Sequence, residues 1–213
     1  MAFLGVLCEL RGSIFFAAMR SHAILVSSLP IADFGRMTPT AMTRKRTLVD
    51  ASSAILLSKT GLFRRLTEMY QVVMAEAVYG EITRTGYPGA AGFSAARCAG
   101  EIRVLSPGAA RFPEAEALLS GPGERDTIRL FSRGDGDFII IDDRKGAGFC
   151  RSVGIPYINA LLFPRILMLA GELSEDECRR RTGDLLKNGR YSPKIVRVAA
   201  AVSQERLHRF LPS

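Results

Sequence analysis

Histidine is almost missing from this 213-residue chain. With only His22 and His208 present, acid–base chemistry built on an imidazole has almost no candidate. Cysteine is sparse and scattered: Cys8, Cys98, Cys150 and Cys178 form no C-x-x-C pair, which argues against both a zinc site and a disulfide framework. Reduced thiols and a cytoplasmic setting are the expectation. No uninterrupted apolar stretch approaches the roughly 18 residues of a spanning helix, so no membrane partner is expected. Neither G-x-S-x-G nor a phosphate-cradling P-loop occurs, Asp135-x-Asp137 lacks the rest of a calcium loop, and those hydrolase and nucleotide-binding classes lose their support. There is no internal repeat and no low-complexity tract.

What the chain does have is positive charge and apolar bulk. A formal charge of +8 and a pI near 9.7 favour an anionic partner, of which nucleic acid is the commonest, although an acidic protein or a membrane surface also fits. At 47% hydrophobic the chain can bury a sizeable core and suits one domain with appendages. Residues 1–45 read as an amino-terminal extension: Met1 to Leu29 is apolar but interrupted by Cys8, Glu9 and Arg11, and Pro30, Gly35 and Pro39 follow. Met37 and Met42 stand just before the first strand pattern, so the extension is expected to be disordered or to come from a mis-assigned start. Residues 46–170 form the expected main domain and 171–213 a helical carboxyl-terminal extension.

Within the main domain, strand and helix patterns alternate. Thr47 to Val49, Tyr70 to Met74, Ile102 to Leu105, Phe138 to Ile141 and Pro156 to Ile158 read as strands, the fourth apolar enough to be buried on both faces. Ser52 to Met69 (interrupted near Gly61), Ala75 to Thr85, Phe93 to Gly100, Pro113 to Leu119, Glu124 to Arg133 and Arg144 to Val153 read as helices. In the extension, Ser174-x-x-Glu177 is a capping box for a helix to Leu186, and Ser192-Pro193 opens another to about Phe210. The fold class is therefore α/β, with a mainly parallel sheet covered on both faces.

The acids fall at special places in this pattern. Asp50 follows the first strand and Asp142–Asp143 the fourth, so both are presented at a carboxyl edge, where ligands of open α/β sheets bind. Glu81 lies on a helix after the second strand, and Glu124 and Asp126 open the helix before the fourth. In a basic chain, this reads as a metal-dependent nuclease. Two unpaired carboxylates about 4 Å apart repel by roughly 4 kcal/mol at an effective dielectric near 20, so such a cluster needs raised pKa values or a cation. Oxygen ligands alone select a hard ion, Mg²⁺ or Mn²⁺. Each acid also has a structural reading: Asp50 as a helix cap, Glu81 as a solvated charge, Glu124 and Asp126 as first-turn partners of the helix dipole, Asp142 and Asp143 as turn residues paired with Arg144. Those readings, taken together, leave unexplained why every acid falls at a position of the four acidic segments set out next. The cations Arg179, Arg180, Arg181, Lys187, Arg190, Lys194 and Arg197 either line an RNA path or, for most of them, solvate two exposed helices.

Four segments carry a family resemblance. Leu48-Val49-Asp50-Ala51-Ser52, Val78-Tyr79-Gly80-Glu81-Ile82, Gly123-Glu124-Arg125-Asp126-Thr127-Ile128 and Ile139-Ile140-Ile141-Asp142-Asp143-Arg144-Lys145 resemble, in order, the acidic motifs of PIN-domain proteins. The tail from Ala170-Gly171-Glu172-Leu173 resembles the end of a subfamily related to VapC-type toxins. The resemblance implies a three-layer α/β/α PIN-like domain and a small endoribonuclease that holds one or two Mg²⁺ or Mn²⁺ ions. Asp50, Glu81, Asp126 and Asp143 would be its catalytic acids, Asp142 and Glu124 further metal ligands, and Ser52 a supporting residue. Spacing to the following apolar residues favours Asp126 over Glu124, and Asp143 matches the usual acid of the last motif, with Asp142 able to replace it. Members are often toxins and often dimeric, so an RNA substrate, a small antitoxin protein and a homodimer come as expectations. The competing reading is a non-catalytic PIN-like module that binds RNA or protein; a phosphate-accepting receiver domain would need its acidic pair after the first strand.

Because residues 1–41 hold none of the acidic motifs, a chain beginning at Met42 is expected to melt at the temperature of the full chain. A marked fall in melting temperature would place the extension within the fold.

Overall fold

The computed structural model describes residues 44–212. The expectations about disorder and a mis-assigned start fall on residues 1–43, outside the described residues. Five strands, β1 (Arg46–Val49), β2 (Gln71–Ala75), β3 (Ile102–Leu105), β4 (Phe138–Ile140) and β5 (Tyr157–Ile158), form one sheet in the order β3-β2-β1-β4-β5. Every neighbouring pair is parallel. Each crossover is helical: α1 (Ala51–Lys59) and α2 (Phe63–Met69) join β1 to β2, α3 (Glu76–Ile82) and α4 (Ala90–Cys98) join β2 to β3, α5 (Pro113–Leu118) and α6 (Pro122–Ser132) join β3 to β4, and α7 (Arg144–Ser152) joins β4 to β5. A 3₁₀ turn at Ala160–Leu162 leads into α8 (Phe163–Leu169), α9 (Glu175–Asn188), α10 (Pro193–Ala200) and α11 (Gln204–His208). This is the three-layer α/β/α fold expected for the chain. Among the described residues no helix is long and apolar enough to cross a membrane.

The central strands explain the position of the acids. Leu48, Val49 and all of Phe138–Ile140 are buried, as strands covered on both faces must be. From β1 the chain crosses to β2 on one side, whereas β4 pairs with β1 on the other, in register from Thr47 and Phe138 to Val49 and Ile140. The order of strands thus reverses between β1 and β4. Ligands of open α/β sheets bind outside the carboxyl ends of the strands that flank such a switch point, and Asp50 and Asp142 stand one and two residues past those ends.

One element departs from expectation. The helix expected from Ser192 to about Phe210 is two helices: Ser192 caps α10, which ends at Ala200, and Ser203 caps α11. The cause lies in α8, where the Arg165 guanidinium donates to the carbonyls of Ala199 and Val202 at 2.9 and 2.7 Å. Those carbonyls are the acceptors a continuing helix would need, and a cation at the end of α10 also suits its dipole. The capping box at Ser174 and Glu177 is present as expected.

Residues beyond 170 supply part of the core. Leu185, Leu207 and Phe210 are buried, Phe210 packs edge-on to Phe138 with centroids 5.2 Å apart, and Tyr70 meets the same ring at 5.4 Å. The Tyr70 hydroxyl donates to the Phe210 carbonyl at 2.6 Å, and the Arg181 guanidinium closes the end of α1 through Thr60 O at 3.0 Å. Phe210→Ala should therefore destabilise the protein by about 3 kcal/mol, and Tyr70→Phe by about 1 kcal/mol, both read from urea denaturation. A loss below ~1 kcal/mol for Phe210→Ala would show that α11 is not part of the cooperative core.

Candidate active site

Asp50 is the N-cap of α1. Its backbone N–H donates to Ile140 O at 3.1 Å, continuing the β1–β4 ladder by one residue, while its carboxylate accepts from Ser53 N at 2.8 Å and from the Ser52 hydroxyl at 2.6 Å. The capping role and the site role are therefore compatible. Asp50 is only 4% exposed, and burial pushes its carboxyl up to about 7, against the hydrogen bonds of Ser52 and Ser53; the charge of Asp142 adds to the rise. Asp142 is raised too, by burial first, with Tyr191, Ser53 and Ala160 pulling the other way. The Ser53 hydroxyl adjoins both carboxylates yet completes a hydrogen bond with neither.

Asp142 is held on one side only. Its Oδ1 accepts from the Tyr191 hydroxyl at 2.8 Å and from Ala160 N at 3.1 Å, whereas Oδ2 is buried with no partner. Asp143, the next residue, faces another way: it caps α7, accepting from Lys145 N at 2.6 Å and Gly146 N at 2.8 Å. Of the two acids, Asp142 is the one beside Asp50, and Asp143 is the one beside Glu124. Burial, followed by the charge of Asp143, raises the Glu124 carboxyl, and its Oε2 is buried and unpartnered.

Two glycines make room for this arrangement. A Cβ on Gly123 would meet Val78 at 3.1 Å and Glu81 Oε2 at 3.7 Å, and one on Gly146 would collide with the Ile141 side chain. Gly123 lets α6 close onto α3, which brings Glu81, otherwise exposed, next to the first turn of α6 and hence near Glu124. Asp126 goes elsewhere. It pairs with Arg129 at 2.9 Å, and the same guanidinium bonds Glu116 of α5 at 2.7 Å. At ~100° per residue, positions two apart lie on nearly opposite faces of a helix, so Glu124 and Asp126 cannot both face the crevice. Glu124, which spacing ranks second, is the one beside Asp143, and Asp126 is the one paired with Arg129.

The carboxylates therefore come as two pairs, Asp50 with Asp142 and Glu124 with Asp143, joined through the contiguous Asp142–Asp143 and bordered by Glu81. Among the described residues no three His, Cys, Asp or Glu side chains are gathered tightly enough to enclose an ion by themselves. Two buried carboxylate oxygens without partners nevertheless fit a cation, since buried acceptors are otherwise satisfied. The donor set fits Mg²⁺ or Mn²⁺ best: Mg²⁺ is usually held by one or two carboxylates together with waters and substrate phosphates, without an all-protein cage. The Arg179–Arg181 run is engaged within the chain: Arg179 with Glu175 and Asp176, Arg180 with Glu177, Arg181 with Thr60 O. Tyr191 and Ala160 had no signal in the sequence, since one lies in a short break between helices and the other acts through its backbone.

A family model described as a PIN domain matches residues 46–198. Nothing matches among curated proteins or solved structures.

The raised carboxyl of Asp50 sets a pH dependence for the protein in chelator. Between about pH 4, the unfolded pKa, and about pH 7, the native one, the native state keeps a proton that the unfolded chain has released. Stability is therefore full below this window, falls as pH rises through it and is level above it. Asp50→Asn keeps the cap but removes the charge, so in chelator at pH 8 it should stabilise the protein, by up to a bound on the order of 4 kcal/mol, and by much less at pH 4. Melting curves at the two pH values check this, and an Asp50→Asn protein less stable than wild type at pH 8 would contradict it.

Proposed function

The chain belongs to the PIN-domain family, a nuclease family, and we propose that it is a metal-dependent endoribonuclease that hydrolyses RNA phosphodiester bonds at the crevice between β1 and β4. The observation that carries this reading is the two buried, unpartnered carboxylate oxygens, Asp142 Oδ2 and Glu124 Oε2, in a group of acids whose charged forms burial disfavours. Mg²⁺ or Mn²⁺ would be held by the pair Asp50 and Asp142 together with waters and substrate phosphate, with Glu124, Asp143 and Glu81 beside it. The ion, when bound, lowers the pKa of a water and offsets charge that develops on the phosphate. Glu124 replaces Asp126 in this assignment.

The chain's own residues do the remaining work. Ser52 and Ser53 N fix the Asp50 carboxylate through 2.6 and 2.8 Å bonds, so its orientation is set before substrate arrives. Lys145 N and Gly146 N, at the start of α7, do the same for Asp143. Burial of Asp50 and of Asp142 Oδ2 limits competing water, which strengthens the electrostatic contacts at these two groups. No side-chain nucleophile is required. The reading extends to a toxin of a toxin–antitoxin pair, acting in the cytoplasm with a small antitoxin protein as partner and a homodimeric state; it is supported by the resemblance of the tail after Ala170 and by the +8 charge. A short reading frame for a small DNA-binding protein directly upstream would be its genomic sign.

Purified protein should cleave single-stranded RNA in Mg²⁺ or Mn²⁺ and stop in chelator. Asp50→Asn and Glu124→Gln should each lower turnover at least 100-fold with the fold retained, whereas Asp126→Asn should stay within about threefold, since it removes only a partly exposed ion pair. Comparable losses for Asp126→Asn and Glu124→Gln would reject the assignment. RNA binding without cleavage in either ion would favour the non-catalytic module.

A further inference from the structure

Tyr191 lies between α9 and α10, 49 residues from Asp142, and belongs to none of the acidic motifs. Its hydroxyl and the Ala160 N–H both donate to Asp142 Oδ1, while Oδ2 keeps no partner. An ionised carboxylate offers about four lone-pair directions over two equivalent oxygens. Here the Tyr191 and Ala160 donors are both spent on one oxygen, while Oδ2 is buried and the Ser53 hydroxyl beside the carboxylate completes no hydrogen bond to it.

The ring is fixed as firmly as its hydroxyl. A Cβ on Gly189 would stand 2.5 Å from Tyr191 Cε2 and 2.9 Å from Leu185 O, so the glycine two residues earlier is what lets the ring fold back over the end of α9. On the other side Ser192 caps α10, whose far end is tied down by Arg165. Tyr70 is a useful contrast. It too is a buried phenol with a short bond, but its acceptor is a backbone carbonyl in the core, Phe210 O, which serves packing alone.

We propose that Tyr191 is a positioning residue of the site: by holding Oδ1 of Asp142 it presents Oδ2 as a single, fixed ligand to a divalent cation, and so couples the α9–α10 connection to cation binding. The inference rests on the reading of Asp142 as a cation ligand. Hydrogen-bond partners of metal-ligating groups set ligand orientation, and their loss typically costs 10–100-fold in affinity. Coupling of this kind is reciprocal, so a cation must tighten the docking of residues 189–192 by the factor that Tyr191 contributes to its binding.

The experiment is a calorimetric titration of Mn²⁺ into the full chain, with hydrogen exchange on the same samples. Tyr191→Phe should weaken Mn²⁺ binding about tenfold, Gly189→Ala should weaken it in the same direction by displacing the ring, and Tyr70→Phe should lower the melting temperature with Mn²⁺ affinity unchanged. In the wild-type protein, saturating Mn²⁺ should slow exchange of the amides from Gly189 to Ser192. No Mn²⁺ binding by wild type would overturn the metal reading itself. Wild-type binding with Tyr191→Phe equal to it would overturn the role of Tyr191 alone. If Tyr191→Phe fails to fold, the wild-type exchange data decide, and unchanged protection at 189–192 on adding Mn²⁺ would likewise overturn the inference.

Discussion

Two carboxylates, Asp50 and Asp142, follow neighbouring parallel strands at the place where the strand order reverses, and the surrounding structure holds them side by side in a setting that disfavours their charged forms. β1 and β4 are buried on both faces, so whatever follows them starts from the interior. Helix starts then supply the compensation. The first turn of α1 gives Asp50 a backbone donor, and that of α7 gives Asp143 two. Asp142 and Glu124 receive less, since Asp142 Oδ2 and Glu124 Oε2 keep no partner. A domain that accepts such local cost has placed its site ahead of its stability.

The sheet was legible because the strands are short apolar runs bounded by acids or turns, a pattern that Phe138 to Ile141 shows most clearly. Asp50 was legible for the same reason. Glu124 against Asp126 was not, because the buried face of α6 is made of Gly123, Thr127, Ile128 and Leu130, and glycine and threonine do not register as apolar in a sequence pattern. Asp142 and Asp143 are contiguous and follow the same strand, so only the fold shows that the second is taken by the start of α7. Tyr191 was beyond reach: its partner is 49 residues away, and nothing in Gly189-Arg190-Tyr191-Ser192 marks a tyrosine that faces a carboxylate.

The region after α8 shows how a basic, polar-looking tail can be integral to a domain. Three of its cations are engaged within the chain: Arg181 ends α1, and Arg179 and Arg180 pair along α9. Exposed pairs along one helix contribute little, so the larger share of the attachment comes from Leu185, Leu207 and Phe210 in the core. The net positive charge of the chain is thus a weaker guide to an RNA path than the acids are to the site.

The crevice is assembled from segments remote in the chain, and this has a kinetic side. Asp50 meets the strand that ends in Ile140, Asp142 meets Tyr191, and Tyr70 meets Phe210 across 140 residues. Non-local parallel pairings close large loops before they gain any contact, and they form late. The acids therefore confront one another only in a chain that has already closed those loops, and a cation bound among them would stabilise the folded chain without acting on the unfolded one.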